Sequence, residues 1–175
     1  MTNFFCFSII IDEKAISVGS DIMNILSFLT PKSEVTCVKL SFSLRQTMEK
    51  MENCSYTAVP VLDDDERYVG TLTEGDLLWH LKKNGFPSIY DAERLSLADV
   101  ERKTVVNAVG VNTRMEELFN ASLGQNFIPV IDDRGVFIGL VTRQRLIRYF
   151  LTKQSGGSSQ KQDVYDHSIY QGERI

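Results

Sequence analysis

The chain contains one sequence pattern twice. Residues 57–81 align with residues 126–150 without a gap, and apolar residues replace one another at most positions between the identical ones. Each copy of such a repeat is one supersecondary unit that buries its apolar face against its neighbour, so the two copies are predicted to pack as one domain. The identical pairs are Pro60 and Pro129, Val61 and Val130, Asp63 and Asp132, Asp64 and Asp133, Gly70 and Gly139, Thr73 and Thr142, and Leu77 and Leu146.

Each copy shows the same order of predicted elements, β-α-β-β-α. A short β-rich run comes first, at Val35–Leu40 and Thr104–Val109, and a helical pattern follows each run. Ser43 and Thr113 stand where the N-caps of these helices are expected. The apolar residues of the two helices are Leu44, Met48 and Met51 in the first copy and Met115, Leu118 and Phe119 in the second.

The second half of each copy is a predicted hairpin followed by a helix that opens at Thr73 or Thr142. Acidic turns separate the two strands of each hairpin. The fold class is therefore α+β, with tandem repeats packed around a pseudo-twofold axis. The predicted strands are Thr57–Leu62, Tyr68–Leu72, Phe127–Ile131 and Val136–Val141. The last helices are expected to bury Leu77, Leu78 and Leu81 in the first copy and Leu146, Ile147 and Phe150 in the second.

Size and charge exclude several classes of protein. The 175 residues are 43% hydrophobic and 24% charged, which suits one globular domain. A net charge of −4 argues against a protein that holds nucleic acid on a broad positive surface. Three cysteines without paired spacing and two histidines predict neither a disulfide framework nor a metal site, and they favour the cytoplasm.

The repeats divide the chain into five segments. Phe4–Ile11 is apolar, but it is short, lacks a basic flank and is followed by Asp12, so no signal peptide is expected. No stretch approaches the ~20 apolar residues of a membrane-spanning helix. The predicted segments are repeat 1 at 23–84, a linker at 85–97, repeat 2 at 98–154 and a flexible tail at 155–175. Residues 1–22 are interpreted as an N-terminal extension, with an edge strand or an artefact of an upstream start codon as the alternatives.

The repeated signature resembles a known family. YTAVPVLDDDERYVGTLTEGDLLWHL, followed later by QNFIPVIDDRGVFIGLVTRQRLIRYF, is similar to the paired CBS domain, or Bateman module, over roughly Met23 to Lys153. In length and layout the chain also resembles small stand-alone CBS-pair proteins of Gram-positive bacteria. The resemblance implies a regulatory module that binds an adenosine-type ligand between the copies and signals to an unidentified protein partner. The ligands it suggests are AMP, ADP, ATP, S-adenosylmethionine and cyclic di-AMP, and it further implies a homodimer.

Thr73 and Asp76 are the candidate ribose contacts. They place a hydroxyl and a carboxylate three residues apart at a helix start, and the carboxylate is an acceptor suited to two vicinal hydroxyls. The resemblance identifies this Thr-x-x-Asp pattern as a ribose clamp. An ordinary capping interaction is the alternative for the same two residues.

The second copy differs at the clamp. Arg145 stands where Asp76 stands in the first copy, and a guanidinium has no acceptor for a ribose hydroxyl. Arg143 and Arg145 begin a helix, where backbone N–H groups also favour anions, so they are the candidate phosphate contacts. A mononucleoside is therefore expected to bind at most once per chain, while a cyclic di-adenosine ligand could prefer the second cleft.

The walls of both clefts follow from the resemblance. A basic residue or histidine often stands near the phosphates in relatives, but this chain has Asn126 there, which leaves Arg143 as the main phosphate contact of the first cleft. The implied adenine wall of the first cleft is Val105, Val106 and Asn107 together with Asn126, Phe127 and Ile128. The implied wall of the second cleft is Val35 and Thr36 together with Tyr56, Thr57 and Ala58.

No catalytic constellation is present in the sequence. The acidic run 63–66 falls in a predicted hairpin turn, where Asp is favoured for local hydrogen bonding. There is no Gly-rich phosphate loop, nucleophile elbow or Cys/His pairing. The expectation is a nucleotide-sensing module without enzymatic activity. The alternative is a CBS-pair interaction protein whose clefts are vacant and whose helices build a homodimer.

Overall fold

The computed structural model describes residues 24–85 and 88–154. The predicted extension at 1–22 and the tail at 155–175 lie outside the described residues. Repeat 1 contains β1 (Thr30–Pro31), β2 (Val38–Lys39), α1 (Leu44–Cys54), β3 (Ala58–Leu62), β4 (Tyr68–Thr73) and α2 (Glu74–Lys83). A short helix, α3 (Ile89–Ala92), lies in the linker. Repeat 2 contains β5 (Val109–Gly110), α4 (Met115–Gly124), β6 (Phe127–Ile131), β7 (Phe137–Thr142) and α5 (Arg143–Gln154).

Two sheets form, one around each hairpin. In the first sheet β2 pairs in parallel with β3, and β3 pairs antiparallel with β4. The second sheet has the order β1-β7-β6-β5, with β5 and β6 parallel. Val38 pairs with Val61 and Val109 pairs with Val130, so β2 and β5 hold matching places in the two repeats.

Each repeat completes its core with residues from the beginning of the other repeat. Ile25 and Phe28 lie at the start of repeat 1 but pack in the core of repeat 2. Leu97, the last linker residue, and Val100, at the start of repeat 2, pack in the core of repeat 1. This exchange of segments joins both repeats into one folded unit.

The two hairpins meet on a pseudo-twofold axis. The backbone N–H of Tyr68 donates to Gly135 (3.2 Å), and the N–H of Phe137 donates to Glu66 (3.0 Å). The rings of Tyr68 and Phe137 stack with 6.3 Å between their centroids. Because Phe137 is the repeat equivalent of Tyr68, the two hydrogen bonds are related by the internal symmetry. The expected fold class, tandem β-α-β-β-α repeats packed with pseudo-twofold symmetry, is confirmed.

Some local predictions need correction. Ser43 caps α1 as predicted, in a capping box with Gln46. Thr113 does not cap α4, because the N-cap is Arg114, whose side chain makes no capping hydrogen bond. The two first strands are also much shorter than the β-rich runs predicted them to be, since only Val38–Lys39 and Val109–Gly110 find a pairing partner in β3 and β6.

The last helices bury fewer apolar residues than predicted. Leu77 and Leu146 are buried against the sheets, as expected. Leu78 and Ile147 are each 50% exposed, and Phe150 is exposed as well. A helix that covers one sheet face buries only the stripe that faces the sheet, so the neighbouring apolar positions remain on the surface.

Candidate functional site

A cleft of about 540 Å³ opens between the edge of β4 and the segment that leads into β5. Residues 68–71 form one side, and residues 100–102 and 104–108 form the other. Within the described residues, the stretch 101–108 has no strand pairing. The side chain of Val105 is 78% exposed at this cleft. The size of the cleft lies within the range of small-molecule sites, which span about 300–1,000 Å³.

A polar cluster holds the two sides of the cleft together. The Tyr68 hydroxyl donates to the carbonyl of Val106 (2.9 Å) and lies 2.8 Å from Oγ1 of Thr71. Because Tyr68 has one proton to give, the Thr71 hydroxyl is the donor in the second bond. Burial raises the pKa of the Tyr68 hydroxyl, so the group remains a neutral donor at physiological pH.

Arg102 is the cation that lines this cleft. Its side chain lies over Gly70, with Nε 3.3 Å from the position that a Cβ on Gly70 would take. Its Nη1 is buried and has no hydrogen-bond partner. An unpaired buried donor calls for an explanation, and an anion or a water in the cleft supplies one. Sequence reasoning did not find this residue, although an Arg-Lys pair directly before the β-rich run of repeat 2 was a signal for it.

Thr73 and Asp76 lie at the start of α2, in a capping box. Oδ2 of Asp76 accepts from the N–H of Thr73 (3.0 Å) and from its hydroxyl (2.7 Å). The Thr73 hydroxyl in turn accepts from the N–H of Asp76 (3.1 Å). The capping role that the sequence left as an alternative is therefore present in the structure.

Asp76 also contacts the wall of the cleft. Its Oδ1 accepts from the backbone N–H of Lys103 (3.1 Å), and Asp76 is only 4% exposed. Lys103 lies between Arg102 and Thr104, and both of these line the cleft. The structure thus brings the predicted ribose contacts next to the segment that carries three of the predicted adenine contacts.

The predicted adenine wall is divided by the structure. Val105, Val106 and Asn107 line the cleft. Phe127 packs against an apolar cluster of both repeats, called here the cluster between the repeats, which is formed by Leu62, Phe137 and Leu140. Ile128 is fully buried in the core of repeat 2. Asn126, which is exposed, accepts from the N–H of Arg143 through its backbone carbonyl. Asn126, Phe127 and Ile128 are therefore not among the residues that line this cleft.

The predicted phosphate contacts lie in repeat 2. Arg145 is exposed, and its Nη1 donates to the carbonyl of Leu29 (3.4 Å) in the segment before β1. The N–H of Arg145 donates to Oγ1 of Thr142, the residue at which the sequence predicted this helix to open. Neither Arg143 nor Arg145 lines the 540 Å³ cleft.

The structure does not bring the predicted second-cleft residues together in one wall. Val35 packs in the cluster between the repeats, and Tyr56 packs against the core of repeat 1. Thr57 accepts from the N–H of Glu74 through its carbonyl, and Ala58 pairs with Thr73 in the sheet. Thr36 is half-buried.

The family model for the CBS domain matches residues 20–83 and 97–152. The chain belongs to the CBS domain family. This assignment agrees with the duplicated hairpins and with the exchange of segments between the repeats. CBS domains are generally regulatory and non-catalytic, and no catalytic family is indicated for this chain. The described ranges contain no group of three or more metal-ligating side chains and no helix that is long and apolar enough to cross a membrane.

Known CBS-pair proteins have similar sequences and structures. CBSX1 of Arabidopsis thaliana, a chloroplastic CBS domain-containing protein, is 24% identical over 164 residues, which cover 80% of this chain and 70% of CBSX1. The structure of Listeria monocytogenes CbpB with c-di-AMP has a TM-score of 0.63 at 18% identity, covering 75% of this chain and 97% of CbpB. The structure of CBSX2, also from Arabidopsis, with AMP has a TM-score of 0.59 at 26% identity, covering 75% of this chain and 98% of CBSX2.

Proposed function

We propose that this CBS pair is a non-catalytic regulatory module that binds one adenosine-type nucleotide in the cleft between β4 and residues 100–108 and signals to a protein partner. The observation that carries the proposal is the cleft itself, which is lined by the cation Arg102 and by the hydroxyls of Tyr68 and Thr71. Asp76 contacts the segment that forms one wall of the cleft, through the N–H of Lys103. The AMP and c-di-AMP bound to CBSX2 and CbpB support this class of ligand. The proposed compartment is the cytoplasm.

Asp76 and Thr73 are the proposed ribose contacts. Oδ2 of Asp76 already accepts two hydrogen bonds, while Oδ1 accepts one, from Lys103. A carboxylate oxygen has two acceptor positions, so one remains on Oδ1. A ribose that uses both of its vicinal hydroxyls must therefore compete with the N–H of Lys103. Ligand binding would then loosen the contact between α2 and the segment at Lys103, so the free and bound states would present different contacts to a partner.

Arg102 is the proposed phosphate contact in this cleft, which neither Arg143 nor Arg145 lines. We expect Arg102→Met to lower the affinity for AMP by about ten- to a hundredfold, because a charge-assisted hydrogen bond contributes ~1.5–3 kcal/mol. The affinity for adenosine should stay the same. Calorimetric titration with AMP and with adenosine measures both values. Arg94→Met, at an exposed linker position, is the matched control. Equal losses for AMP and adenosine would exclude a phosphate contact at Arg102.

The exposed apolar residues of the last helices are the proposed homodimer surface. Leu78, Trp79, Ile147 and Leu151 are each at least half exposed, and they lie on α2 and α5. The internal repeat places Leu78 and Ile147 at matching positions, so a second copy can cover both helices with the same kind of contact. Sedimentation of wild type and of the double variant Leu78→Glu/Ile147→Glu tests this surface. A wild-type monomer would contradict it.

A thermal-shift screen tests the proposed function as a whole. Wild type is heated with AMP, ADP, ATP, S-adenosylmethionine and cyclic di-AMP, with GMP as a purine control. A ligand at about 100 times its Kd adds roughly 2.7 kcal/mol of stability, which is readily seen as a higher Tm. At least one adenine ligand is expected to raise the Tm more than GMP does. The absence of any shift would favour the alternative, an interaction protein with vacant clefts.

A further inference from the structure

We infer that the chain has one nucleotide site and not two, because the cleft of repeat 2 is sealed by β1, while Tyr68 and Thr71 keep the cleft of repeat 1 open. This inference rests on the proposed function and adds its stoichiometry and two positioning residues. The segments that precede β2 and β5 differ, although each of them lies against the outer hairpin strand of the other repeat.

In repeat 2 the edge strand is covered by backbone. Thr30 and Pro31 of β1 pair antiparallel with Leu140 and Gly139 of β7. The approach is so close that a Cβ on Gly139 would lie 2.2 Å from the carbonyl oxygen of Thr30. A ligand that lies against this part of β7 must first remove β1.

In repeat 1 the same edge is open. Within the described residues, the segment before β5 makes no strand pairing with β4. The space over Gly70 is taken by the side chain of Arg102 and not by backbone. A side chain of this length can move aside at a much smaller cost than a paired strand. The cleft of about 540 Å³ lies at this edge.

The side chains of β4 and β7 also favour an open first cleft and a closed second cleft. Tyr68 and Thr71 of repeat 1 correspond to Phe137 and Leu140 of repeat 2. Phe137 and Leu140 form an apolar cluster, and Val35 and Cys37 from the segment before β2 pack against it. Apolar contacts therefore pull that segment onto β7.

In repeat 1, the hydroxyls of Tyr68 and Thr71 keep the neighbouring segment at a distance from β4. The Tyr68 hydroxyl holds the backbone of Val106 at hydrogen-bond distance, so the segment stands off from β4 at a defined spacing. Thr71, which is buried, fixes the hydroxyl of Tyr68. Tyr68 and Thr71 are thus positioning residues, which set the distance between β4 and the cleft wall without requiring contact with the ligand.

Titration calorimetry with AMP tests the inference on three proteins. Wild type is expected to bind one AMP per chain. Tyr68→Phe is expected to bind AMP about tenfold more weakly and to have a lower Tm, because it leaves the buried Thr71 hydroxyl without its partner. The double variant Tyr68→Phe/Thr71→Val removes both polar groups, so its Tm should recover while its affinity stays low.

These outcomes separate a positioning role from a structural one. If the affinity recovers together with the Tm in the double variant, the positioning role is wrong. Two AMP molecules per wild-type chain would overturn the single-site inference while leaving the proposed function intact. If wild type binds none of the adenine ligands, the proposed function fails and this inference fails with it.

Thiol labelling tests whether the second cleft is closed, and it requires no ligand. Cys37 lies in the segment packed on β7, and burial raises the pKa of its thiol to about 11. In native protein at pH 8, Cys37 is expected to react with iodoacetamide at least tenfold more slowly than Cys54, because its side chain is packed against β7 and the thiolate is the reacting form. Mass spectrometry of the tryptic peptides 33–39 and 51–67 measures each rate. Equal rates for the two native thiols would show that the second cleft opens.

Discussion

Replacing Gly139 with alanine is expected to lower the free energy of unfolding by about 3 kcal/mol or more, at the upper end of what overpacking costs. The new Cβ would lie 2.2 Å from the carbonyl oxygen of Thr30 and 2.9 Å from Cδ1 of Leu29. Because the first contact is with backbone, β1 must move away from β7. Chemical denaturation in guanidinium chloride measures the loss.

Gly70→Ala is the matched control for this variant. Both glycines have a positive φ, 149° at Gly70 and 158° at Gly139, so alanine meets backbone strain at both positions. At Gly70 the nearest atom to the new Cβ is Nε of Arg102, at 3.3 Å, and a side chain can shift. We expect the cost at Gly70 to be about 1–2 kcal/mol, clearly smaller than at Gly139. Equal costs would show that β1 does not hold β7 as closely as the structure indicates.

Asp76→Ala is expected to weaken binding of AMP by about ten- to a hundredfold and also to destabilise the fold by about 2 kcal/mol. The first effect follows from the loss of the proposed ribose acceptor. The second follows from the structure, since Asp76 completes a capping box and accepts from Lys103 as a buried group. Titration at a temperature well below the Tm of the variant separates the two effects.

Asp91→Ala provides a control with the same capping geometry. Oδ2 of Asp91 accepts from the N–H of Ser88 (3.2 Å) and from its hydroxyl (2.7 Å), as Asp76 does with Thr73. Asp91 is exposed, whereas Asp76 is buried and accepts from the N–H of Lys103, in the segment that forms a wall of the cleft. Replacement of Asp91 should cost about 0.5–1 kcal/mol and leave the affinity for AMP unchanged. If Asp76→Ala retains wild-type affinity, Asp76 only caps α2 and the ribose contact is wrong.

The hairpins and helices of the repeats were predictable because their signals are local. The Pro-containing strands, the acidic turns and the threonines that begin the last helices stand at the same places in both copies. Local patterns did not show the pairing of β1 with β7, which joins residues far apart in sequence. They also overestimated β2 and β5, since a β-rich run forms a strand only where a neighbouring strand offers hydrogen bonds.

The candidate site was predictable only in part. The spacing of Thr73 and Asp76 found the start of α2, and the resemblance found Val105, Val106 and Asn107. Arg102, Tyr68 and Thr71 were missed, because their roles depend on how residues 100–108 lie against β4. The exposure of Leu78 was missed for a similar reason, since periodicity marks an apolar stripe but not its width.

Photolabelling with 8-azido-AMP is the most direct test of the proposal that a nucleotide binds in the first cleft. Irradiated protein is digested with trypsin, and the modified peptides are identified by mass spectrometry, with unlabelled AMP as competitor. Label is expected on the tryptic peptides 104–114 and 68–82, which carry the two walls of this cleft, and this label should be lost in Asp76→Ala. Competed label on peptides 33–39 and 135–143, which carry the matching walls of the second cleft, would contradict a nucleotide site in the first cleft.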